Sequence, residues 1–298
     1  MLHLIERPGT HALVRVAPST RAVVSWNAAA PSGRLALIAH RADGTVSNAL
    51  PYVHWAPSMR RSLDGADAVT RIAIDIVRSD VALTAIEIES SVALDAVAVT
   101  VPPAAGTRVP RVERAAPLEV PEVSQYLAAF PRERGWCSAA SLAMLMRAQG
   151  INASVNDIAD GAFDSSYRGH GNWAFNTAYA GAHGLRAVVA YLSGLDHVAA
   201  FLAAGLPVAI SISWHGDQLP GAPLEHSDGH LIVVCGIGRA WVEVNDPAAP
   251  AIATRYPRAA LDRVFREHGG VAYLVAPAAR SAELAALANA GGPAAQRT

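Results

Sequence analysis

The sequence predicts two domains, an all-β sandwich followed by an α+β domain. Three observations support this prediction. The first third of the chain alternates apolar and polar residues, a proline-rich stretch follows it, and apolar residues then recur at helical spacing. A chain of 298 residues is long enough for two domains. Hydrophobic residues make up 52% of it, which is ample for well-buried cores.

Residues 1–102 carry the pattern of short strands. The segment TRIAIDIV places Ile72, Ile74 and Ile76 on one face, and AIEIES alternates isoleucine with glutamate. Alternation of this kind indicates half-buried strands. Because several such segments follow one another without helices between them, we expect a β-sandwich of jelly-roll type.

Residues 103–119 are predicted to form a linker, or an extended strap that lies along the second domain. The stretch 101–123 contains five prolines and shows little periodicity. Proline-rich segments are extended and do not continue a helix or a central strand, so this stretch separates the two domains.

Residues 120–278 are predicted to form the second domain, which begins with helices. The first helix begins at Cys137 and ends at Gly150, a residue type that commonly follows a helix C-terminus. The second begins at SVND, which is similar to a capping box. A third runs from about Trp173 to His183, and a fourth covers LDHVAAFLAA.

Strands are predicted to follow these helices. They are LPVAISISW, HLIVVCGIG, WVEVND and VAYLVA. Helices first and an antiparallel meander afterwards are typical of an α+β domain. Residues 279–298 are rich in alanine and glycine and are expected to form a C-terminal tail with a short helix.

Composition excludes several classes of function. With 24 basic and 25 acidic residues the net charge is −1, so nothing indicates a nucleic-acid partner. No stretch has the length and apolarity of a membrane span. The N-terminus lacks the basic and apolar regions of a secretory signal, so we expect a cytoplasmic protein. Two cysteines make neither a disulfide framework nor a zinc ribbon, and no cofactor or metal ion is predicted.

Cys137 is the first candidate for chemistry. It lies in RERGWCSAASLAMLM, where Gly135 and Trp136 lead into the predicted helix. A helix N-terminus stabilises a thiolate through its unpaired N–H groups, and the thiolate is the reactive form of cysteine. The alternative is that Cys137 is a small buried apolar residue, as most free cysteines are.

A cysteine nucleophile also needs a base, an orienter for that base and donors for an oxyanion. His230 begins an apolar strand directly after SDG, so its ring can lie at a sheet edge and face a cleft. The next strand ends in Asn245 and Asp246, and antiparallel pairing brings that end close to His230. Gln125 precedes Cys137 by twelve residues, so its amide could donate to an oxyanion, unless it is an ordinary surface glutamine.

These segments together resemble the C39-like branch of the papain superfamily of cysteine peptidases. The resemblance is carried by SQYLAAFPRERGWCSAASLAMLM, GHLIVVCGIG and VEVNDPA, which contain a glutamine, a Trp-Cys-Ser helix start, a Gly-His strand and an Asp-Pro strand end in that order. It covers about residues 120–277. The N-terminal part is similar to the β-rich extension of some bacterial members. Ala139 stands where the family often has proline, which affects rigidity more than chemistry.

The resemblance implies a papain-like fold and a role for each of these residues. Cys137 would attack an acyl carbon, His230 would carry the proton, and Asp246 would orient His230. Gln125 and the Cys137 N–H would form the oxyanion hole. Asn245 is the rival orienter. Because strand alternation sends neighbouring side chains to opposite faces, only one of the two can serve, and Asp246 is favoured.

The function that this implies is that of an enzyme, a cysteine peptidase or amidase that cleaves a peptide or amide substrate through a thioester acyl-enzyme. An acyltransferase of transpeptidase or transglutaminase type, using the same triad, is the first alternative. A binding module with an inactive cysteine is the second. No nucleic-acid or membrane partner is expected, and the oligomeric state is not predicted.

Two other segments have polar residues that could carry a function. HSDGH, with His226, Asp228 and His230, could hold a metal ion together with His215 and Asp217, but its glycine and serine favour a loop. Tyr256 and Arg258 in RYPR, and Cys235 in its apolar strand, are interpreted as structural or surface residues.

Overall fold

The computed structural model describes residues 1–104, 106–107, 109, 111–126 and 135–290. It divides into two compact units. Unit 1 contains Met1–Pro102 and Asp157–Ala190, and unit 2 contains Pro103–Asn156 and Tyr191–Thr298. Residues 157–190 thus group with the N-terminal strands. The domain boundaries given above, at residues 102, 119 and 278, remain predictions.

Helices and strands alternate only in the second half of the chain. In chain order they are β1 (Leu2–Asn27), β2 (Gly33–Arg41), β3 (Leu50–Ala56), β4 (Met59–Ser62), β5 (Thr70–Ala73), β6 (Ile76–Thr100), α1 (Cys137–Ala148), α2 (Val155–Ala162), α3 (Trp173–Ala182), β7 (Leu185–Tyr191), α4 (Leu195–Ala203), β8 (Val208–His215), β9 (His226–Ile237), β10 (Trp241–Asn245), β11 (Ala253–Pro257), α5 (Arg258–Glu267), β12 (Val271–Pro277) and α6 (Ser281–Ala288).

Unit 1 is built on one antiparallel sheet of six strands. Its order is β1-β6-β2-β3-β4, and β5 pairs with β6. The end of β6, Ala96–Thr100, pairs on one side with Leu2–Glu6 and on the other with Val23–Asn27. The last part of β6 therefore lies between two segments of β1, and the hydrophobic core of the unit includes Trp26, Tyr52 and Trp55.

The predicted jelly-roll sandwich of short strands is not confirmed. Two strands are very long, β1 with 26 residues and β6 with 25 residues. The pattern divides β1 into several short strands, but in the structure these segments are continuous. Register shifts, such as that between Arg15 and Ser19, let β1 continue past Pro18. Bulges of this kind bend a strand and accommodate proline without ending the sheet.

Polar side chains inside unit 1 are held by specific partners. The Nδ2 of Asn27 donates to Ala187 O at 2.8 Å, and its Oδ1 accepts from Arg186 Nη1 at 2.8 Å. The carboxylate of Asp75 accepts from the backbone N–H of Trp173 at 2.6 Å, at the first turn of α3. Burial raises the pKa of Asp75 to about 7, although hydrogen bonds from this turn oppose the rise. These contacts join residues 157–190 to the sheet of unit 1.

Unit 2 contains an antiparallel sheet with five of its strands in the order β11-β10-β9-β8-β12. The strands β8, β9 and β10 are consecutive antiparallel neighbours as predicted, with pairs such as Ile212 with His230 and Asn245 with Val233. Strand β12, predicted to continue this meander after β10, pairs with β8 instead. The pattern did not predict β11 or α5. Both are short, and α5 buries only one stripe of side chains, Leu261, Val264 and Phe265.

Helix α1 lies against this sheet and begins at Cys137, as predicted. All residues from Ser138 to Met146 are buried, so the helix is enclosed on every side. Ser141 donates to Leu231 O at 3.0 Å on β9, and the Ser138 hydroxyl lies 2.7 Å from that of Tyr273 on β12. The first turn of α1 is therefore fixed on two strands of the sheet.

None of the helices in the described ranges has the length and apolarity needed to cross a membrane.

Candidate active site

Cys137 lies at the first position of α1 and is partly exposed. The turn before it contains Gly135, whose φ of +60° lies in the left-handed region that glycine adopts most easily. Trp136 is almost fully buried, and it fixes the chain where the helix begins. The thiol thus lies at the exposed end of an otherwise enclosed helix, where backbone N–H groups favour an anion.

His230 lies on β9, beside the N-terminus of α1. Its Nε2 is 2.8 Å from Oδ1 of Asp246, and its side chain is only 3% exposed. A hydrogen bond also joins its ring to the Cys137 thiol. Because Asp246 occupies Nε2, Nδ1 is the nitrogen that faces Sγ. The edge of Trp214 on β8 packs against the ring, with centroids 5.7 Å apart.

Asp246 directly follows β10, and hydrogen bonds fix both its backbone and its side chain. Its backbone N–H donates to Ile252 O at 2.9 Å. Besides His230, its Oδ1 accepts from the Ala248 N–H at 2.9 Å, and its Oδ2 accepts from the Tyr256 hydroxyl at 2.5 Å. The side chain is 1% exposed.

Asn245, the rival orienter, turns away from His230. Its Nδ2 donates to the backbone oxygen of Val120 at 3.1 Å. Adjacent residues at the end of a strand point to opposite faces, as the sequence argument assumed. The amide therefore contacts the segment 111–126, and the carboxylate of Asp246 contacts the imidazole.

The three side chains change one another's proton affinity. Burial raises the pKa of the Cys137 thiol, but the hydrogen bond and charge of His230 outweigh burial and bring the pKa below its ordinary value. Burial lowers the pKa of His230, yet the hydrogen bonds to Asp246 and Cys137 raise it overall. Burial raises the pKa of Asp246, and the contact with His230 lowers it overall. Each of these shifts favours the charged form of its group, so the contacts favour a thiolate and an imidazolium beside a carboxylate.

Gln125 lies beside the residue that follows Asp246. Its backbone N–H donates to Pro247 O at 3.0 Å. Its side-chain Oε1 is buried and accepts no hydrogen bond from the described part of the chain. The residues 127–134 of the quoted motif, between Gln125 and Gly135, lie outside the described residues.

The segment that leads to Gln125 follows the sheet as an extended strap. Ala115 N–H donates to Ile237 O at 2.8 Å, and Leu118 N–H donates to Cys235 O at 2.9 Å. The register of β9 against β10 shifts at this point, which frees the Cys235 carbonyl from the ladder. Cys235 itself is buried in β9, and burial raises its pKa to about 12.

Sequence reasoning missed the contact of Tyr256 with Asp246. Tyr256 lies on β11, a strand that the pattern did not predict. The contact depends on the pairing of β11 with β10, and no sequence signal indicated it. Arg258 has the structural role assigned to it. Its guanidinium donates to Asp196 Oδ1 at 2.6 Å, Val112 O at 2.7 Å and Gly238 O at 3.0 Å.

The expectation that HSDGH forms a loop is wrong. β9 begins at His226, because His215 and His226 pair across the hairpin that joins β8 to β9. His215 Nε2 is 3.8 Å from Asp228 Oδ1, and His230 is turned towards Asp246 instead. Among the described residues, no group of three or more histidine, cysteine, aspartate or glutamate side chains could hold a metal ion.

Comparison with protein families shows the family to which the sequence belongs. A sequence profile of the Peptidase_C39 like family matches residues 117–273. No curated protein matches the chain in sequence.

Several solved structures are similar to part of the chain. One is described as a C39-like peptidase from Bacillus anthracis, with 19% identity over 55% of this chain and 98% of that one and a TM-score of 0.43. Another is a double glycine motif protease from an AMS/PCAT transporter in complex with the leader peptide, with 19% identity, 56% and 99% coverage and a TM-score of 0.38. A third is the peptidase domain of Streptococcus ComA, a bifunctional ABC transporter in quorum sensing, with 18% identity, 52% and 97% coverage and a TM-score of 0.38.

The family assignment depends on the sequence profile, which covers more than half of the 298 residues. It includes the end of the strap, helix α1, and strands β8 to β11. The chain therefore belongs to the Peptidase_C39 like family, a family of cysteine peptidase type.

Proposed function

We propose that the protein is a cysteine peptidase or amidase that uses Cys137, His230 and Asp246 as a catalytic triad. The observation that supports this most is the continuous chain of hydrogen bonds from the Cys137 thiol through His230 to the buried carboxylate of Asp246. Three separate elements supply these groups, the start of α1, the strand β9 and the end of β10. A nucleophile, a base and an orienter in that sequence are the requirement for acyl transfer through a covalent intermediate.

The first half of the proposed reaction forms a thioester. The Cys137 thiolate adds to the carbonyl carbon of a peptide or amide, and the carbonyl oxygen takes the negative charge. His230 then donates its Nδ1 proton to the nitrogen of the leaving amine as the C–N bond breaks. Asp246 keeps Nε2 protonated and stabilises the imidazolium before this transfer.

The second half hydrolyses the thioester. His230, now neutral, accepts a proton from water, and the resulting hydroxide oxygen adds to the thioester carbon. When the C–S bond breaks, Cys137 leaves as a thiolate beside the imidazolium, so the ion pair is restored and no proton is gained or lost by the enzyme. Water is the only co-substrate, and no cofactor takes part.

Gln125 and the backbone N–H of Cys137 are proposed to hold the oxyanion in both halves. The support is that the backbone N–H of Gln125 donates to Pro247 O, which ties Gln125 to the residue next to Asp246. An amide Nε2 that donates only when the oxygen becomes charged stabilises the transition state more than the substrate.

Alkylation with iodoacetamide tests the proposal without a known substrate. At neutral pH we expect Cys137 to react selectively, and on the order of 10- to 100-fold faster than in a His230→Ala variant, because His230 lowers the pKa of the thiol. Mass spectrometry of peptides after timed labelling measures both cysteines. Cys235 is the internal control, since burial raises its pKa to about 12. Equal and slow labelling of both cysteines would contradict the proposal.

Replacing Gln125 by alanine is expected to reduce kcat about 100- to 1000-fold, because one oxyanion donor is lost. The rate of Cys137 alkylation should not change, since iodoacetamide forms no oxyanion. Hydrolysis of a peptide library, followed by mass spectrometry, gives the first measurement. Gln149→Ala, at the other end of α1, is the matched control and should keep both rates. Normal hydrolysis by the Gln125→Ala variant would contradict the assignment of Gln125 to the oxyanion hole.

A further inference from the structure

The hydroxyl of Tyr256 lies against the carboxylate of the proposed triad. Tyr256 is fully buried, and its O–H donates to Oδ2 of Asp246 at 2.5 Å. The other carboxylate oxygen, Oδ1, faces His230 Nε2 at 2.8 Å. The two oxygens of Asp246 therefore have different partners, a tyrosine on one side and the imidazole on the other.

The hairpin between β10 and β11 fixes this arrangement through the backbone. Val242 of β10 pairs with Tyr256 of β11, and the pair Asn245 with Ala253 closes the ladder next to Asp246. Within the turn, Asp246 N–H donates to Ile252 O at 2.9 Å. Asp246 and Tyr256 thus come from one rigid hairpin, and the hydroxyl cannot move away from Oδ2 without breaking the ladder.

Tyr256 can act only as a donor to this carboxylate. Burial raises the pKa of its hydroxyl, and the charge of Asp246 raises it further, so both favour the protonated phenol that donates to the carboxylate. A donor on a carboxylate withdraws charge from it and lowers its basicity. The proton shared by Asp246 and His230 then stays on His230.

We propose that Tyr256 is a positioning residue of the triad, which holds the Asp246 carboxylate in plane with His230 and keeps it from taking the imidazolium proton. This inference rests on the proposed function. It assigns to Tyr256 no contact with the substrate, since Asp246 and His230 lie between its hydroxyl and the Cys137 thiol.

The test is the pH dependence of Cys137 alkylation in Tyr256→Phe, which removes one oxygen atom from a buried ring. Without the donor, Asp246 is a stronger base and takes a larger share of the imidazolium proton, so Cys137 loses part of the positive charge on His230 that lowers its pKa. We expect the acid side of the labelling profile to move to higher pH by about one pH unit. At a given pH on that side, the reaction is then about tenfold slower. The rate on the plateau should stay within about twofold of wild type.

Tyr52→Phe is the matched control. Tyr52 is also fully buried, and its hydroxyl donates to a backbone oxygen, Val24 O, at 2.6 Å in unit 1. Both variants should lower the unfolding temperature, because each leaves a buried acceptor without its donor. Only Tyr256→Phe should move the labelling profile. A tyrosine with a merely structural role would behave like Tyr52.

A second variant keeps the volume of the site unchanged. Incorporating 3-fluorotyrosine at position 256 makes the phenol a stronger donor, so the acid side should move to lower pH, opposite to Tyr256→Phe. If wild type shows no enhanced labelling of Cys137, both the proposed function and this inference fail. If wild type shows it but neither variant moves the profile, the inference about Tyr256 alone is overturned. Shifts of opposite sign support it.

Discussion

Replacing Cys137 by alanine is expected to abolish peptide or amide cleavage, with a loss on the order of 10⁴- to 10⁶-fold in kcat. The reason is that the proposed reaction has no other group that can form the acyl-enzyme. Water would have to attack the carbonyl directly, and the oxyanion hole and His230 would give only a residual acceleration. The peptide library that tests Gln125→Ala gives the measurement, in a long incubation that detects slow turnover.

The matched control for this variant is Cys235→Ala. Cys235 is buried in β9, and its Sγ donates a weak hydrogen bond to Val233 O at 3.6 Å. Its loss removes one small apolar group from the core and should cost about 1 kcal/mol of stability, with activity kept. Cleavage that survives in Cys137→Ala but not in Cys235→Ala would reverse the assignment of the nucleophile.

The parts of the fold that could be predicted are those where local sequence decides the structure. Helix α1 begins at Cys137 and ends just before Gly150 because a glycine-containing turn precedes it and a residue with φ of +83° follows it. The neighbouring strands β8, β9 and β10 follow from apolar runs separated by turns and loops. In both cases the pattern, the length and the boundary residues agree.

The N-terminal sheet could not be predicted in the same way. Whether a proline or glycine ends a strand or only bends it depends on the partner strand across the ladder. In β1 the bulges near Gly9 and Pro18 are accommodated because β6 is equally long and pairs along its whole length. Sequence pattern contains no information about that partner, so one long strand is interpreted as several short ones.

The same distinction applies to the residues of the candidate site, some of which could be predicted and some of which could not. Cys137 and Asp246 stand at the ends of predictable elements, and His230 lies in a predictable strand, although β9 begins four residues before it. Antiparallel order alone brings β9 and β10 together. Tyr256 belongs to a strand of five residues with no alternating pattern, and a buried tyrosine is most often part of a core. Its contact with Asp246 depends on the register of β10 with β11, and that register cannot be derived from the sequence.

Replacing Asp246 by alanine is the second change with a large expected effect. It leaves His230 Nε2, the Tyr256 hydroxyl and the Ala248 N–H without their acceptor in a site that is closed to water. The imidazole then loses its orientation and its counter-charge, and we expect kcat to fall about 10³- to 10⁴-fold. Asn245→Ala is the matched control, because its amide contacts Val120 instead of His230. It should lose less than about tenfold.

The pH dependence of the Asp246→Ala variant is a second, independent test of the role of Asp246. In wild type, Asp246 raises the pKa of His230, so the imidazolium persists and the ion pair with Cys137 survives to alkaline pH. Without the carboxylate, burial dominates and lowers that pKa, so His230 loses its proton at lower pH. The alkaline side of the pH profile of cleavage, where the imidazolium must protonate the leaving amine, should therefore move to lower pH in Asp246→Ala. Asn245→Ala should leave it in place, and an equal shift in both variants would show that the strap, and not the carboxylate, controls His230.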